Sequence, residues 1–209
     1  MNSNEELINY LIATGVLKTL EIIRALSKID RQNFVTPECK NFVYEDNPCS
    51  IGYGQTISQP TTVALMMEEL RPQEGDKVLD IGFGSGWTAA ILASIVGEKG
   101  KVFAFEIIPI IGRFGEKNVK KYKFENVRFI TGDGSKGLPK EAPFDRVLVS
   151  AAASSVPLVL KEQLKIGGRL VIPVGRDGQA IYIIERIGEK AYKKKRIPGF
   201  VFVDLKGCN

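Results

Sequence analysis

The chain has 209 residues, of which 44% are hydrophobic, and its net charge is +5. A chain of this length buries one sizeable core, which favours a single domain. Its longest apolar runs fall well short of the roughly 20 residues that a membrane-spanning helix needs, and residues 1–6 lack the basic region of a signal peptide. We therefore expect a cytoplasmic protein without a membrane partner.

Two features of the composition exclude whole classes of chemistry. The chain has no histidine, which rules out Ser-His and Cys-His nucleophile pairs, His-bound metals and imidazole acid–base catalysis. Cys39, Cys49 and Cys208 are an odd number at spacings that match neither a zinc site nor a dense disulfide framework, so we expect reduced thiols and no metal. The basic residues are spread over 117–123 and 190–196, as on solvated faces, so we expect no nucleic-acid partner.

The first 60 residues change from a helical to an irregular pattern. Apolar residues recur at helical spacing through residues 4–26 with a break at Gly15, which predicts two helices. Residues 30–60 are instead rich in Pro, Gly, Asn and aromatic side chains. Irregular chain of this length is uncommon in compact domains unless it binds something, so this segment is a candidate for substrate handling.

Strands and helices alternate after Thr61. A helix is predicted from that residue, followed by strands and helices and then by two further β-like runs. The predicted strands are 78–81, 102–106, 127–131, 146–150 and 169–174, the helices are 87–96, 112–122 and 157–164, and the β-like runs are 180–187 and 200–205. Several strands are too apolar to be half-exposed. This pattern predicts an α/β fold, a doubly wound, mostly parallel sheet of Rossmann-like type, with an N-terminal helical cap over its binding edge.

A glycine-rich turn follows the first strand of the alternating region. Residues 80–87 read Asp-Ile-Gly-Phe-Gly-Ser-Gly-Trp and join a strand to a helix. Glycines let the backbone approach a ligand closely and aim a helix N-terminus at it, as in doubly wound nucleotide sites. The spacing differs from the dinucleotide fingerprint, because Trp87 stands where the third glycine belongs. The predicted ligand contacts in this turn are Gly82, Phe83, Gly84, Ser85, Gly86 and Trp87.

Three acids stand at the ends of three successive predicted strands. Asp80 would repel a pyrophosphate but attract a ligand that carries an ammonium and a sulfonium. Glu106 is placed to accept hydrogen bonds from ribose hydroxyls, and Asp133, followed by Gly134, to accept one from an adenine amino group. Each acid also has a simple structural alternative: a turn cap, a surface charge and a turn residue, respectively. Together they indicate a site for a cationic nucleoside.

With these residues, the region 77–175 resembles the class I S-adenosylmethionine-dependent methyltransferases. The run Gly54-Gln55-Thr56-Ile57-Ser58-Gln59-Pro60, with Asp30-Arg31 upstream and Ser150-Ala151-Ala152-Ala153 downstream, extends the likeness. Over residues 30–207 the chain is similar to the protein-L-isoaspartate O-methyltransferase family. We accordingly expect residues 1–60 to form the N-terminal helices and substrate-handling segment, 61–175 the cofactor-binding core and 176–209 the C-terminal strands of one domain.

The resemblance implies S-adenosyl-L-methionine as the cofactor and the α-carboxylate of L-isoaspartyl residues in damaged proteins as the methyl acceptor. Further cofactor contacts are implied for Gln55, Thr56 and Ile57, and substrate contacts for Ile57, Ser58, Val203 and Leu205. Ser58 is the implied catalytic residue. A carboxylate is already ionised at pH 7 and needs no general base, which agrees with the missing histidine. Ser58 would orient it by a hydrogen bond; the alternative is a turn or a helix N-cap before Pro60.

Two residues depart from the family pattern. Thr61 stands where many members have histidine, so a ligand contact from that ring is absent or replaced by a hydroxyl. Asp204 replaces a proline and adds a negative charge near the expected substrate. A methyltransferase for another small molecule or for RNA, and a non-catalytic S-adenosylmethionine-binding homologue, remain as alternatives; an NAD-dependent oxidoreductase is disfavoured by Asp80 and Trp87. We expect a monomer.

Overall fold

The N-terminal quarter consists of two helices and a short hairpin in the computed structural model, which describes residues 1–176 and 178–207. The helices are α1 (Asn4–Ala13) and α2 (Leu20–Lys28), which confirms the two predicted from apolar spacing. Ser3 caps α1 by accepting a hydrogen bond from the amide of Glu6 at 3.1 Å. The irregular segment that follows contains two 3-10 helices, Arg31–Phe34 and Pro37–Phe42, and a hairpin of β1 (Cys49–Gly52) and β2 (Gln55–Ile57).

The rest of the chain alternates between helices and strands in nearly the predicted order. The elements are α3 (Pro60–Leu70), β3 (Lys77–Ile81), α4 (Trp87–Val96), β4 (Lys101–Glu106), α5 (Pro109–Lys120), β5 (Val127–Thr131), β6 (Phe144–Val149), α6 (Leu158–Glu162), β7 (Leu164–Val174), β8 (Gln179–Arg186) and β9 (Tyr192–Phe200). No helix among the described residues is both long enough and apolar enough to cross a membrane.

Seven strands form one sheet in the order β5-β4-β3-β6-β7-β8-β9. The pairs from β5 to β7 are parallel, whereas β8 and β9 are antiparallel to their neighbours. This arrangement confirms the predicted α/β fold with a mostly parallel sheet. Because β3, β4, β5 and β6 run in the same direction, their carboxyl ends meet at one edge, where doubly wound folds place their ligands.

Apolar side chains cover both faces of the sheet. Neighbours on β3 point to opposite sides, so Val78 joins the core beneath α1 to α5 while Leu79 joins a second core with Leu160 of α6. The first of these cores also ties the N-terminal helices to the sheet, because α2 packs on α4 and α1 on α3. The near-continuous apolar strands of the sequence are therefore explained by burial on two sides.

The last strand lies earlier than the sequence pattern predicts. The prediction of a strand over residues 200–205 is wrong: β9 ends at Phe200, and within residues 201–207 only Asp204 forms an isolated bridge, to Ala152. The strand instead contains the basic run 193–196, which the pattern had assigned to a solvated face. An edge strand has one unpaired side and tolerates exposed lysines, which also protect it from edge-to-edge pairing, so its apolar alternation is weak.

The thiols of Cys39 and Cys49 are joined as a disulfide, so the expectation of reduced thiols is wrong for these two residues. Cys39 lies in the second 3-10 helix and Cys49 begins β1, with their Cα atoms 6.2 Å apart. The sequence separation alone does not reveal this pairing, because it depends on how the irregular segment folds back on itself. Cys208 lies outside the described residues.

Candidate active site

A cavity opens at the carboxyl ends of β3, β4 and β6, with a volume of about 790 Å³ that includes open solvent. Its walls come from the glycine-rich turn, the ends of the parallel strands, the end of the β1–β2 hairpin and residues 203–206. The lining residues predicted from sequence are Gln55, Thr56, Ile57, Ser58, Gly82, Phe83, Gly84, Ser85, Trp87, Glu106, Gly134, Val203 and Leu205.

The glycine-rich turn adopts a backbone that side chains disfavour. Gly82, Gly84 and Gly86 have φ angles of 79°, 52° and 90°. Gly86 also has no room for a side chain, because a Cβ there would lie 2.6 Å from the carbonyl oxygen of Gly115 on α5. The turn can therefore pass close to α5 and deliver the N-terminus of α4 to the cavity wall, although Gly86 itself does not line the cavity.

Glu106 ends β4 with its carboxylate against the glycine-rich turn. One oxygen accepts a hydrogen bond from the amide of Gly84 at 3.1 Å and the other from the amide of Ile108 at 2.9 Å. The side chain is buried yet lines the cavity, so the alternative of a surface charge is wrong. An ionised carboxylate has about four acceptor sites, which leaves two for the vicinal hydroxyls of a ribose.

Asp80 lies behind the cavity wall and is completely buried. One carboxylate oxygen accepts a hydrogen bond from the Thr88 hydroxyl at 2.8 Å, and the other has no partner among the described residues. Burial raises the pKa of Asp80 to about 7; the Thr88 hydrogen bond lowers it and the Glu106 charge raises it further. A buried acid with one free oxygen suits a cationic ligand group, so its contact to the cofactor remains a prediction.

Asp133 and Gly134 follow β5, and both were predicted to contact the cofactor. Gly134 lines the cavity, whereas Asp133 does not. The carboxylate of Asp133 accepts a hydrogen bond from the amide of Ser135 at 2.8 Å and lies against Gly207. One carboxylate oxygen of Asp133 thus makes the local contact of a turn residue, as the structural alternative expected. The contact of Asp133 to the adenine amino group stays a prediction.

Ser58 stands between β2 and α3 and lines the cavity. The alternative of an N-cap is wrong, because the N-cap residue of α3 is Gln59 and the amide of Thr61 donates to Asp46 at 2.8 Å instead. The Thr61 hydroxyl also donates to Asp46, at 2.7 Å, and Thr61 does not line the cavity. Of the two expectations for this position, the structure supports the first: the ligand contact that a histidine would make is absent, and the Thr61 hydroxyl does not replace it.

Residues 203–206 near the C-terminus form part of the cavity wall. The amide of Ala152 donates to the carbonyl of Val203, and the amide of Leu205 donates to the carbonyl of Ala152, both at 2.8 Å. These bonds set Val203 and Leu205 into the wall together with Asp204. The predicted substrate-side residues thus reach the same cavity as most of the predicted cofactor-side residues, the exceptions being Asp80, Gly86 and Asp133.

Several lining residues were missed by sequence reasoning. They are mostly apolar neighbours of the predicted acids and glycines: Val63, Ile81, Thr88, Phe105, Ile107, Ile108, Gly132, Ser150, Ala151 and Lys206. The sequence feature that most of them share is their position at, or directly after, the end of a strand on the ligand-binding edge of the sheet. Ile107 and Ile108, next to Glu106, offer an apolar wall of the kind that a nucleoside base requires.

Comparison with known proteins identifies the family of this site. The model of the protein-L-isoaspartate (D-aspartate) O-methyltransferase family matches residues 2–208. The chain belongs to this family. The protein-L-isoaspartate O-methyltransferases of Staphylothermus marinus and Methanopyrus kandleri are 43% and 42% identical to it, with 99% and 98% of this chain and 95% and 92% of theirs covered.

Solved structures give the same answer for the fold. A Plasmodium falciparum structure named as a protein-L-isoaspartate O-methyltransferase, in complex with S-adenosyl-L-homocysteine, superposes with a TM-score of 0.88 at 26% identity and covers 99% of both chains. Another protein-L-isoaspartate O-methyltransferase superposes at 0.87 with 32% identity, covering 98% of this chain and 66% of that one. These findings confirm the expected methyltransferase class, fold and S-adenosylmethionine dependence, and they do not favour the alternative acceptors or a non-catalytic homologue.

Proposed function

We propose that this protein-L-isoaspartate O-methyltransferase family member transfers the methyl group of S-adenosylmethionine to the α-carboxylate of L-isoaspartyl residues in damaged proteins. The observation that carries the proposal is the meeting of Ser58, the glycine-rich turn and Glu106 in one cavity. An acceptor carboxylate beside Ser58 and a nucleoside beside Glu106 would then share a single enclosed space.

The chain's own residues fit the cofactor at three points. Glu106 keeps free acceptor sites for the ribose, and the turn of Gly82 and Gly84 leaves its backbone open to close approach. Asp80 holds a buried oxygen that has no partner in the described part of the chain, near the expected cationic end of the cofactor. When bound, S-adenosylmethionine supplies an electrophilic methyl group on a sulfonium. Gln55, Thr56, Ile57, Phe83, Ser85 and Trp87 form the remaining wall on our assignment.

Ser58 orients the acceptor and does not act as a nucleophile. The α-carboxylate is ionised at neutral pH, so the wall has no proton to remove from it. The Ser58 hydroxyl donates a hydrogen bond to one carboxylate oxygen and leaves the other aligned for in-line attack, while Val203 and Leu205 help to exclude water. The resulting methyl ester loses methanol when the following main-chain amide nitrogen attacks its carbonyl carbon. The succinimide so formed reopens with water, in part to normal Asp.

Selectivity follows from the position of the carboxylate. In an isoaspartyl residue the free carboxylate sits on the α-carbon and the main chain runs through the side-chain methylene. Residues 55–58 and residues 203–205 all line the cavity, so they would contact the peptide main chain on either side of that carboxylate. A normal Asp would place its carboxylate about an ångström or more away, which costs on the order of a hundredfold in rate.

The test uses labelled S-adenosylmethionine and three peptides that differ only in carrying isoaspartate, Asp or Glu at one position. We expect label in the isoaspartyl peptide alone, released as methanol on standing. Equal labelling of the isoaspartyl and Asp peptides would contradict the proposal. We also propose that the enzyme works in the cytoplasm as a monomer, with neither nucleic acid nor membrane as a partner; size-exclusion chromatography with light scattering tests the monomer.

A further inference from the structure

Arg31 is a buried cation beside the acceptor side of the cavity. It begins the 3-10 helix Arg31–Phe34 and is only 1% exposed. Its Nη1 donates to the carbonyl oxygen of Ser58 at 2.6 Å, and its Nη2 donates to the carbonyl oxygen of Asn47 at 3.0 Å. Burying a charge is costly unless its hydrogen bonds are made, and these two carbonyls engage the guanidinium from separate parts of the irregular segment.

The same guanidinium stacks on the indole of Trp87, with its Cζ 4.9 Å from the ring centroid. Trp87 begins α4 and lines the cavity beside the glycine-rich turn. Its Nε1 donates to the carbonyl oxygen of Ile29 at 3.1 Å, so the ring is held by the chain just before Arg31. Arg31 therefore connects the main chain of Ser58 directly to the cofactor side of the cavity.

Asp46 holds the other end of the short segment that carries Ser58. It accepts hydrogen bonds from the amide and hydroxyl of Thr61, at 2.8 and 2.7 Å, and from Nε2 of Gln59 at 3.0 Å. These contacts fix the start of α3, where no N-cap side chain does so. Burial lowers the pKa of Arg31, and the negative charge of Asp46 opposes that shift.

We propose that Arg31 and Asp46 are positioning residues that fix Ser58 at the distance from the cofactor side that methyl transfer needs. The cation holds the carbonyl of Ser58 and the anion holds residues 59 and 61, so the main chain is clamped on both sides of the Ser58 hydroxyl. In-line transfer tolerates little error, since a displacement of about 1 Å costs on the order of a hundredfold. This inference rests on the orienting role proposed above for Ser58.

Lysine cannot take over the role of Arg31. A single ammonium keeps the charge but lacks the planar fork that reaches two carbonyls and stacks on an indole at once. We expect Arg31→Lys to lower kcat for an isoaspartyl peptide by about 10- to 100-fold while the Kd for S-adenosylhomocysteine changes less than about threefold. Asp46→Asn keeps an acceptor oxygen for the Thr61 amide, so we expect a smaller loss of kcat of the same kind, about 3- to 10-fold.

The decisive experiment places Arg31→Lys in a Ser58→Ala background. If Arg31 acts through Ser58, the lysine variant loses little further kcat once the hydroxyl is gone, whereas independent effects multiply. The matched control is Arg169→Lys on β7. Arg169 is also largely buried and also donates to a main-chain carbonyl, that of Glu69 at 3.0 Å, and it does not line the cavity. The control should keep kcat within about twofold of the unchanged protein.

The possible outcomes separate this inference from the proposed function. Methylation of the isoaspartyl peptide by the unchanged chain tests the function by itself. Given that activity, a reduced kcat in Arg31→Lys that disappears in the Ser58→Ala background supports the positioning role. A kcat equal to that of the Arg169→Lys control overturns it, and so does a full multiplicative loss in the double variant. A parallel loss of S-adenosylhomocysteine affinity in Arg31→Lys and Asp46→Asn would likewise overturn it, because the effect would then be general unfolding of the site.

Discussion

The carboxylate of Glu106 accepts a hydrogen bond from the amide of Gly84 at 3.1 Å, which ties the end of β4 to the glycine-rich turn after β3. The acid that is assigned to the ribose therefore also shapes the loop that borders the rest of the cofactor. A substitution at this position acts on both.

Replacement of Glu106 by glutamine should weaken cofactor binding. The amide keeps the shape but loses the charge that strengthens the hydrogen bonds to ribose, so we expect S-adenosylhomocysteine affinity to fall by about 1–3 kcal/mol in isothermal titration calorimetry. Glu116→Gln on α5, where the side chain pairs with Lys120 at the surface, is the control and should bind normally. Tight binding of NAD by the unchanged chain would argue against the assigned pocket.

Removal of the Ser58 hydroxyl should reduce turnover and spare the cofactor. For Ser58→Ala we expect kcat on an isoaspartyl peptide to fall by about 10- to 1,000-fold, the effect of one orienting hydrogen bond in a site with little water. S-adenosylhomocysteine affinity should stay nearly unchanged. Ser27→Ala, at an exposed position on α2, provides the comparison. Unchanged turnover in Ser58→Ala at saturating cofactor would remove Ser58 from the mechanism.

Asp80 should make the protein less stable as the pH rises. Its pKa is about 7 in the folded chain against an ordinary value of 3.8, so between these values the folded state holds a proton that the unfolded state has released. The free energy of unfolding then falls with pH through this window and levels off above it. Urea unfolding of the ligand-free protein at pH 5 and pH 8 should show this fall, and Asp80→Asn should show less of it. The same pH dependence in both proteins would contradict the shift.

The disulfide between Cys39 and Cys49 should stabilise the folded chain modestly. It closes a short loop, with a sequence separation of 10 residues, for which the loss of chain entropy in the unfolded state amounts to about 2–3 kcal/mol. Dithiothreitol should therefore lower the free energy of unfolding of the unchanged protein by about that amount. Cys39→Ser should already be less stable and should not respond further. Equal stability with and without reductant would show that the bond contributes nothing.

Sequence reasoning predicted the parts of the fold that depend on local pattern. The buried strands β3 and β4 and the helix α4 are visible because burial on two faces demands near-continuous apolar runs. The edge strand β9 was not predicted. Because only one of its sides is paired, it tolerates exposed lysines, and these interrupt the alternation of apolar and polar residues that indicates a strand.

The residues of the site were predicted where a motif marks them and missed where only the fold brings them together. Glu106 and Ser58 stand in recognisable runs and do line the cavity. Arg31 also stands in a run that resembles the family, and Asp46 lies in the irregular segment. Their contacts are made to residues 13 to 56 positions away, several of them through main-chain atoms, which no local spacing displays. The pairing of Cys39 with Cys49 was missed for the same reason.

Gly86 and Gly115 let the backbone of the glycine-rich turn pack closely on the backbone of α5, with the side chains of Phe83 and Val119 packed beside them. We therefore expect the glycine-rich turn to be ordered before any ligand arrives, so that the entropy of ordering it is lost during folding and not on binding. We expect cofactor association to proceed in one kinetic step, with any slower adjustment confined to the hairpin and the C-terminal segment on the acceptor side.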